Sequence, residues 1–193
     1  LDNDMADEVQ DKQLRDYPWK AAYRPADGLL ESFYLPALSH ATHYDRIAGF
    51  FSSTALSVAA QGVAQLVAKG GRMRLLVGAQ LSQEDIDAIT TGMELQDRLE
   101  EPFLSALQDS VALKDALVRE RLKVLAWLVA HDQLEIRVVV EADPTTNQPL
   151  ASGGYFHAKG GILWDNAGDA VAFSGSVNES ATAWRTNYER FHV

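Results

Sequence analysis

Short, nearly continuous apolar runs occur from Arg46 to Phe51, from Arg72 to Ala79 and from Leu134 to Glu141, and each predicts a buried strand. Between the first two, Ala55 to Lys69 is rich in Ala, Val and Leu and predicts a helix. Ser52-Ser53-Thr54 supplies its N-cap and Gly70-Gly71 its stop. The strand–helix–strand run over 46–79 has the spacing of a parallel crossover. Upstream, Leu29, Leu30, Phe33, Leu35 and Leu38 predict a short amphipathic helix over 28–43 that Pro36 bends or interrupts. Residues 1–20 are mostly charged and predict a loose arm ending in a turn near Tyr17-Pro18-Trp19, which leaves 21–193 as one domain.

Farther along, Ser82 caps a helix through Thr90 with Glu84 and Asp85 in its first turn. Residues 93–130 read as helical throughout, with a new start at Pro102 and a break near Lys114. Leu117, Leu122, Leu125, Leu128 and Val129 form an apolar face suited to core packing or an oligomer seam. A loop over 142–154 follows. Tyr155 to Trp164 and Ala170 to Phe173 predict two strands joined by a turn at 165–169. A short turn or helix at Ser180 to Trp184 and a last strand at Asn187 to Val193 complete the pattern. Strands alternating with helices predict an α/β domain with helices covering the sheet.

Composition narrows the function. The 193 residues contain no cysteine, so zinc-finger, thiol-redox and disulfide-scaffold classes fall away and a reducing cytoplasm fits. No apolar run approaches the ~20 residues of a membrane span, and the acidic start is no secretory signal. The net charge of −10 argues against broad coating of nucleic acid and restricts any such contact to a local patch or a partner. A start at Leu1 and an end at Val193 inside an expected strand suggest a piece of a longer protein.

The chemistry concentrates near the end. On a strand, His157 and Lys159 project to the same side, setting an imidazole beside an ammonium. Lys neutralises phosphate oxygens and neutral His attacks phosphorus. Gly175-Ser176-Val177-Asn178 follows the next strand; its small Gly, its hydroxyl and its amide suit close approach to a phosphate. Glu189 is placed to accept a proton from one His nitrogen and aim the other. One chance H-x-K in a chain with these His and Lys counts is roughly a one-in-six event, and a chance G-S-x-N roughly one in fifty.

This constellation resembles the phospholipase D superfamily, whose signature is H-x-K, an Asp, then G-S-x-N. His157, Lys159, Gly175, Ser176 and Asn178 match, with Glu189 as the downstream Glu. Asp165 departs from the pattern, because residues 160–164 put five positions after Lys159 where the family has four. A bulge absorbs the difference, or Asp165 is a turn residue; with Gly175 it counts as structural support. The runs Gly49-Phe50-Phe51-Ser52-Ser53 and Phe156-His157-Ala158-Lys159-Gly160-Gly161 look most like single-motif modules fused N-terminally to DNA or RNA helicases in bacterial defence or restriction-like proteins.

The resemblance implies a mixed sheet flanked by helices in an α-β-α sandwich. It implies a metal-independent phosphodiesterase without cofactor, more a nuclease on DNA than on RNA, working through a phosphohistidine. Lys159, Ser176 and Asn178 would hold the phosphate. A second His is needed to protonate the leaving oxygen. The chain has one H-x-K, so that His is expected from another copy, in a homodimer sharing one site. A helicase is the expected partner domain, with no membrane role. The competing reading is a non-catalytic nucleic-acid-binding or dimerisation module of a helicase. A lipid phosphodiesterase ranks last, for want of a basic interfacial helix. His40 and His43 read as surface or packing residues, and Asp85, Asp87, Glu100 and Glu101 as solvated helix charges. Gly153-Gly154 precedes no helix, so it is no nucleotide-binding loop.

Overall fold

The computed structural model describes residues 13–95, 110–150, 156–185 and 189–193. The expected start at Pro102, the carboxylates Glu100 and Glu101, and Gly153-Gly154 lie outside them. Seven strands form one mixed sheet: β1 Ala22–Tyr23, β2 His43–Ala48, β3 Arg72–Gly78, β4 Leu134–Val139, β5 Gly160–Trp164, β6 Ala170–Gly175 and β7 Phe191–His192. Their order is β1-β7-β6-β5-β2-β3-β4. β2, β3 and β4 run parallel to one another. β5 joins β2 antiparallel, and β6, β7 and β1 continue antiparallel to the edge. The α/β class and the mixed sheet with flanking helices are therefore as expected.

The β2-to-β3 crossover is two helices, Thr54–Val58 and Ala60–Ala68, rather than one. Ala59 separates them at φ −96° and ψ 17°. Gly70 turns the chain at φ 71°, where a side chain would be strained, as the stop signal requires. The expected helix over 28–43 starts as a π-turn at Leu30–Tyr34 and becomes α-helical at Leu35–His40. Pro36 has no N–H to give the preceding turn, which suits a local change of hydrogen-bond register. The long helical stretch breaks at Glu120 rather than near Lys114, between the helices Ser110–Arg119 and Arg121–Ala130. That bend lets Leu117, Val124, Leu125 and Leu128 all reach the core.

The arm reading fails from residue 13 onward. Leu14 is fully buried, its N–H bonds to Asp165 at 2.9 Å, and Trp19 Nε1 donates to its carbonyl. Burying one leucine stabilises by about 2 kcal/mol, enough to hold a short polar segment down.

Tyr44, Met73, Leu75, Val77, Leu163, Val171 and Phe173 point to one face of the sheet and share a single core with the helices. Its centre is aromatic: Phe33 meets Phe173 and Phe191 edge-on, and Tyr34 stacks on Trp184. The alternate residues line the other face. There Ile47, Leu76 and Ile162 are 38%, 39% and 37% exposed, around a concavity of about 790 Å³. Asp45 pairs with Arg74, and Glu135 with Arg72 and Arg137 across it. Among the described residues this face of the sheet is partly open. β4 is correspondingly half-buried rather than buried, with Val138 48% exposed at the sheet edge.

Candidate active site

Residues 156–159 have no regular structure, and β5 begins only at Gly160. The strand geometry expected for His157 and Lys159 therefore does not apply. His157 is exposed, whereas Lys159 is buried. Lys159 Nζ turns back and donates to the carbonyl oxygen of His157 at 2.8 Å. Burial pushes the Lys159 ammonium down; Glu189 opposes that shift and Arg46 adds to it.

Two glycines make room for this segment. A methyl at Gly49, just past β2, would stand 3.1 Å from the Phe156 oxygen, 3.2 Å from Lys159 Nζ and 3.3 Å from His157 Cα. At Gly78, the end of β3, it would be 2.4 Å from the Gly49 oxygen. The H-x-K segment thus lies across the C-terminal ends of two parallel strands, where α/β sheets commonly place ligands.

The G-S-x-N element meets it there. Gly175 ends β6 and its N–H bonds to the Lys159 carbonyl at 3.2 Å. A methyl on Gly175 would be 2.2 Å from the Arg190 carbonyl oxygen, so only glycine lets β7 pass. Ser176 exchanges hydrogen bonds with Arg190: its N–H and hydroxyl donate to the Arg190 carbonyl, and its oxygen accepts the Arg190 N–H at 3.0 Å. Asn178 Oδ1 accepts the Phe50 N–H at 3.1 Å. Glu189 is buried and close enough to Lys159 to favour its charged form. Lys159, Ser176, Asn178 and Glu189 thus gather around the segment that carries His157.

Asp165 does not. It sits beyond the far end of β5, about 16 Å along the strand at ~3.3 Å per residue. It is buried and accepts the N–H groups of Leu14, Ala167 and Asp169. Burial raises its pKa, but those three hydrogen bonds outweigh burial and hold it below the usual carboxylate range. It is the turn residue of the hairpin, the structural one of its two readings.

Among the other candidates, His40 packs on Tyr17 and its Nδ1 lies 2.8 Å from the Pro36 carbonyl, a packing role. His43 is exposed beside Thr42. Asp85 corrects the reading as a solvated charge: it is 2% exposed and accepts the Ser53 N–H at 3.3 Å, tying the start of one helix to another. Asp87 stays near the surface, bonded to Gln83. Among the described residues, no group of three or more His, Asp or Glu is arranged to hold a metal. No helix of the described residues is long and apolar enough to cross a membrane.

Sequence reasoning missed the buried support. Arg46, on β2, is 2% exposed; its Nε donates to Glu179 Oε2 at 2.8 Å and its Nη2 to the Val177 carbonyl. Tyr44 donates to the same carboxylate oxygen at 3.2 Å. Burial pushes the Glu179 carboxyl up and the Arg46 cation opposes it. The signal was the alternation itself, which puts Arg46 on the same face as Tyr44 and Ala48 and so inside the core.

No protein-family model and no curated protein match the chain. Among solved structures it is similar to NucT from Helicobacter pylori, at 13% identity and a TM-score of 0.46, over 88% of this chain and 80% of that one.

Proposed function

We propose that this chain is a phosphodiesterase of the phospholipase D type acting on nucleic acid, DNA before RNA, and needing no metal. The observation that supports it is the convergence at one point of His157, buried Lys159, the G-S-x-N turn and Glu189. The motif resemblance supplies the chemistry. A His157 ring nitrogen attacks phosphorus; a P–N bond forms and a P–O bond breaks. The departing oxygen takes a proton from the His157 of a second copy, because this chain has one H-x-K. That second imidazole then deprotonates a water, which attacks phosphorus and frees His157. Lys159, the Ser176 hydroxyl and the Asn178 NH₂ stabilise the charge that builds on the phosphoryl oxygens. Glu189 keeps Lys159 charged and orders the site. The working form is a homodimer in the cytoplasm, as a module of a larger helicase-containing protein.

A second reading, a non-catalytic nucleic-acid-binding or dimerisation module, is favoured by one observation: Lys159 and Ser176 already hydrogen-bond the protein's own main chain. Cleavage of supercoiled and single-stranded DNA in EDTA separates the two. Cleavage that His157→Ala abolishes supports the enzyme. Cleavage that requires Mg²⁺ or survives His157→Ala overturns the mechanism. DNA binding without cleavage at high protein concentration selects the module.

A further inference from the structure

We infer that the buried Arg46–Glu179 pair is the positioning device of the site, fixing Asn178 against Phe50. This rests on the phosphodiesterase reading above. Arg46 reaches from β2 to two points of the turn after Gly175-Ser176, the Val177 carbonyl and the Glu179 carboxylate. Its guanidinium also lies over the Phe173 ring, 5.0 Å from the centroid, which fixes its plane. From the other side, the Glu179 N–H donates to the Phe50 carbonyl at 3.1 Å, and the Ser52 N–H donates to the Glu179 carbonyl at 2.9 Å. Asn178 lies between these clamps, with its side-chain oxygen on the Phe50 N–H. Gly49, next to Phe50, is the residue against which His157 Cα and Lys159 Nζ rest. One rigid connection therefore runs from Arg46 through the 177–179 turn and Phe50 to the H-x-K segment.

A buried ion pair is a poor way to gain stability, since apolar replacements of similar volume are often as stable. The fork geometry instead suits orientation: two donors of one planar group hold two acceptors in a fixed relation. Neither residue is exposed, so neither touches substrate; both act through Asn178 and the segment above it.

The test uses the full chain. Arg46→Met alone leaves Glu179 charged and unpaired and can fail to fold, so Arg46→Met/Glu179→Gln removes both charges while a carbonyl oxygen still accepts from Tyr44. Amide exchange at Phe50 is read by NMR beside that of Leu75 in β3, and kcat and KM are read on a phosphodiester. The expected result is Phe50 exchange faster by about tenfold with Leu75 unchanged. With it, kcat should fall about 100-fold while KM stays within about threefold. Unchanged Phe50 exchange overturns the inference whatever the activity, as does faster exchange with an intact kcat. A wild-type chain that cleaves nothing sinks the phosphodiesterase reading instead, and Phe50 exchange still decides whether the pair fixes Asn178.

Discussion

The ammonium of Lys159 donates to the backbone carbonyl of His157, two residues before it, at 2.8 Å. The residue that would meet the phosphate therefore also shapes the loop that carries the proposed nucleophile. Lys159→Ala is expected to lower kcat/KM by about 3–5 kcal/mol of transition-state stabilisation. Steady-state kinetics check it.

The same lysine carries a pH signature. Its folded pKa lies below the ordinary 10.5, chiefly through burial. The unfolded chain thus holds the proton more tightly, and folding carries a cost below the folded pKa that disappears as pH rises toward 10.5. Denaturant unfolding should show the wild type gaining stability relative to Lys159→Met over that alkaline window. A pH-independent difference would contradict the shift.

Asp165 gives the opposite case. Its pKa is lowered, so its contribution is present above the unfolded value of 3.8 and is lost as pH falls through the folded value. Asp165→Ala is expected to cost about 1–3 kcal/mol of stability at neutral pH by stranding buried N–H groups. The rate constant should stay within about twofold of wild type. Damage to catalysis equal to that of Lys159→Ala would restore the bulge reading of Asp165.

The two glycines at the strand ends differ in what they meet. Gly78→Ala drives a methyl to 2.4 Å from the Gly49 oxygen, a backbone atom that cannot swing aside, and should destabilise by about 1–3 kcal/mol. Gly49→Ala meets its neighbours at 3.1–3.3 Å, two of them in the H-x-K segment. Thermal melts should find it the milder change, and kinetics the more selective one, with activity lost faster than stability.

A site shared between copies makes a quantitative demand. Sedimentation should give a mass near 42 kDa, twice the 21.2 kDa of the chain. When wild type is mixed and exchanged with His157→Ala, activity should fall as the square of the wild-type fraction. A linear fall, or a monomer with full activity, means one copy suffices.

The parts of the fold that could be read from the sequence were those with a local signal. β3 formed at nearly the expected residues, and so did β6 with the turn built on Asp165 and Gly168, whereas β5 begins at Gly160 rather than at Tyr155. The arm misled because its charges hide Leu14, one buried residue whose N–H partner, Asp165, is 151 positions away. The H-x-K pair misled differently. Alternation assumes a strand, yet the hairpin pairing stops at Gly160 and leaves the two side chains in different surroundings. Glu179 and Arg46 are separated by 133 positions, so their pairing has no sequence period to announce it. Only the polar residue at a core-facing position of β2 hinted at it.

Among the described residues the edge strand β1 pairs only with β7, Ala22 opposite His192 and Tyr23 opposite Phe191. During synthesis Tyr23 is made long before its partner strand β7 and the Phe191 ring it stacks on. From the completion of β6 at Gly175 to the arrival of Phe191, at ~5–20 residues per second, the nascent sheet spends about one to three seconds with β6 as a bare edge. In that interval β6 presents unpaired backbone to any neighbouring chain on the same message. The sheet is closed against such pairing only when its first and last strands meet.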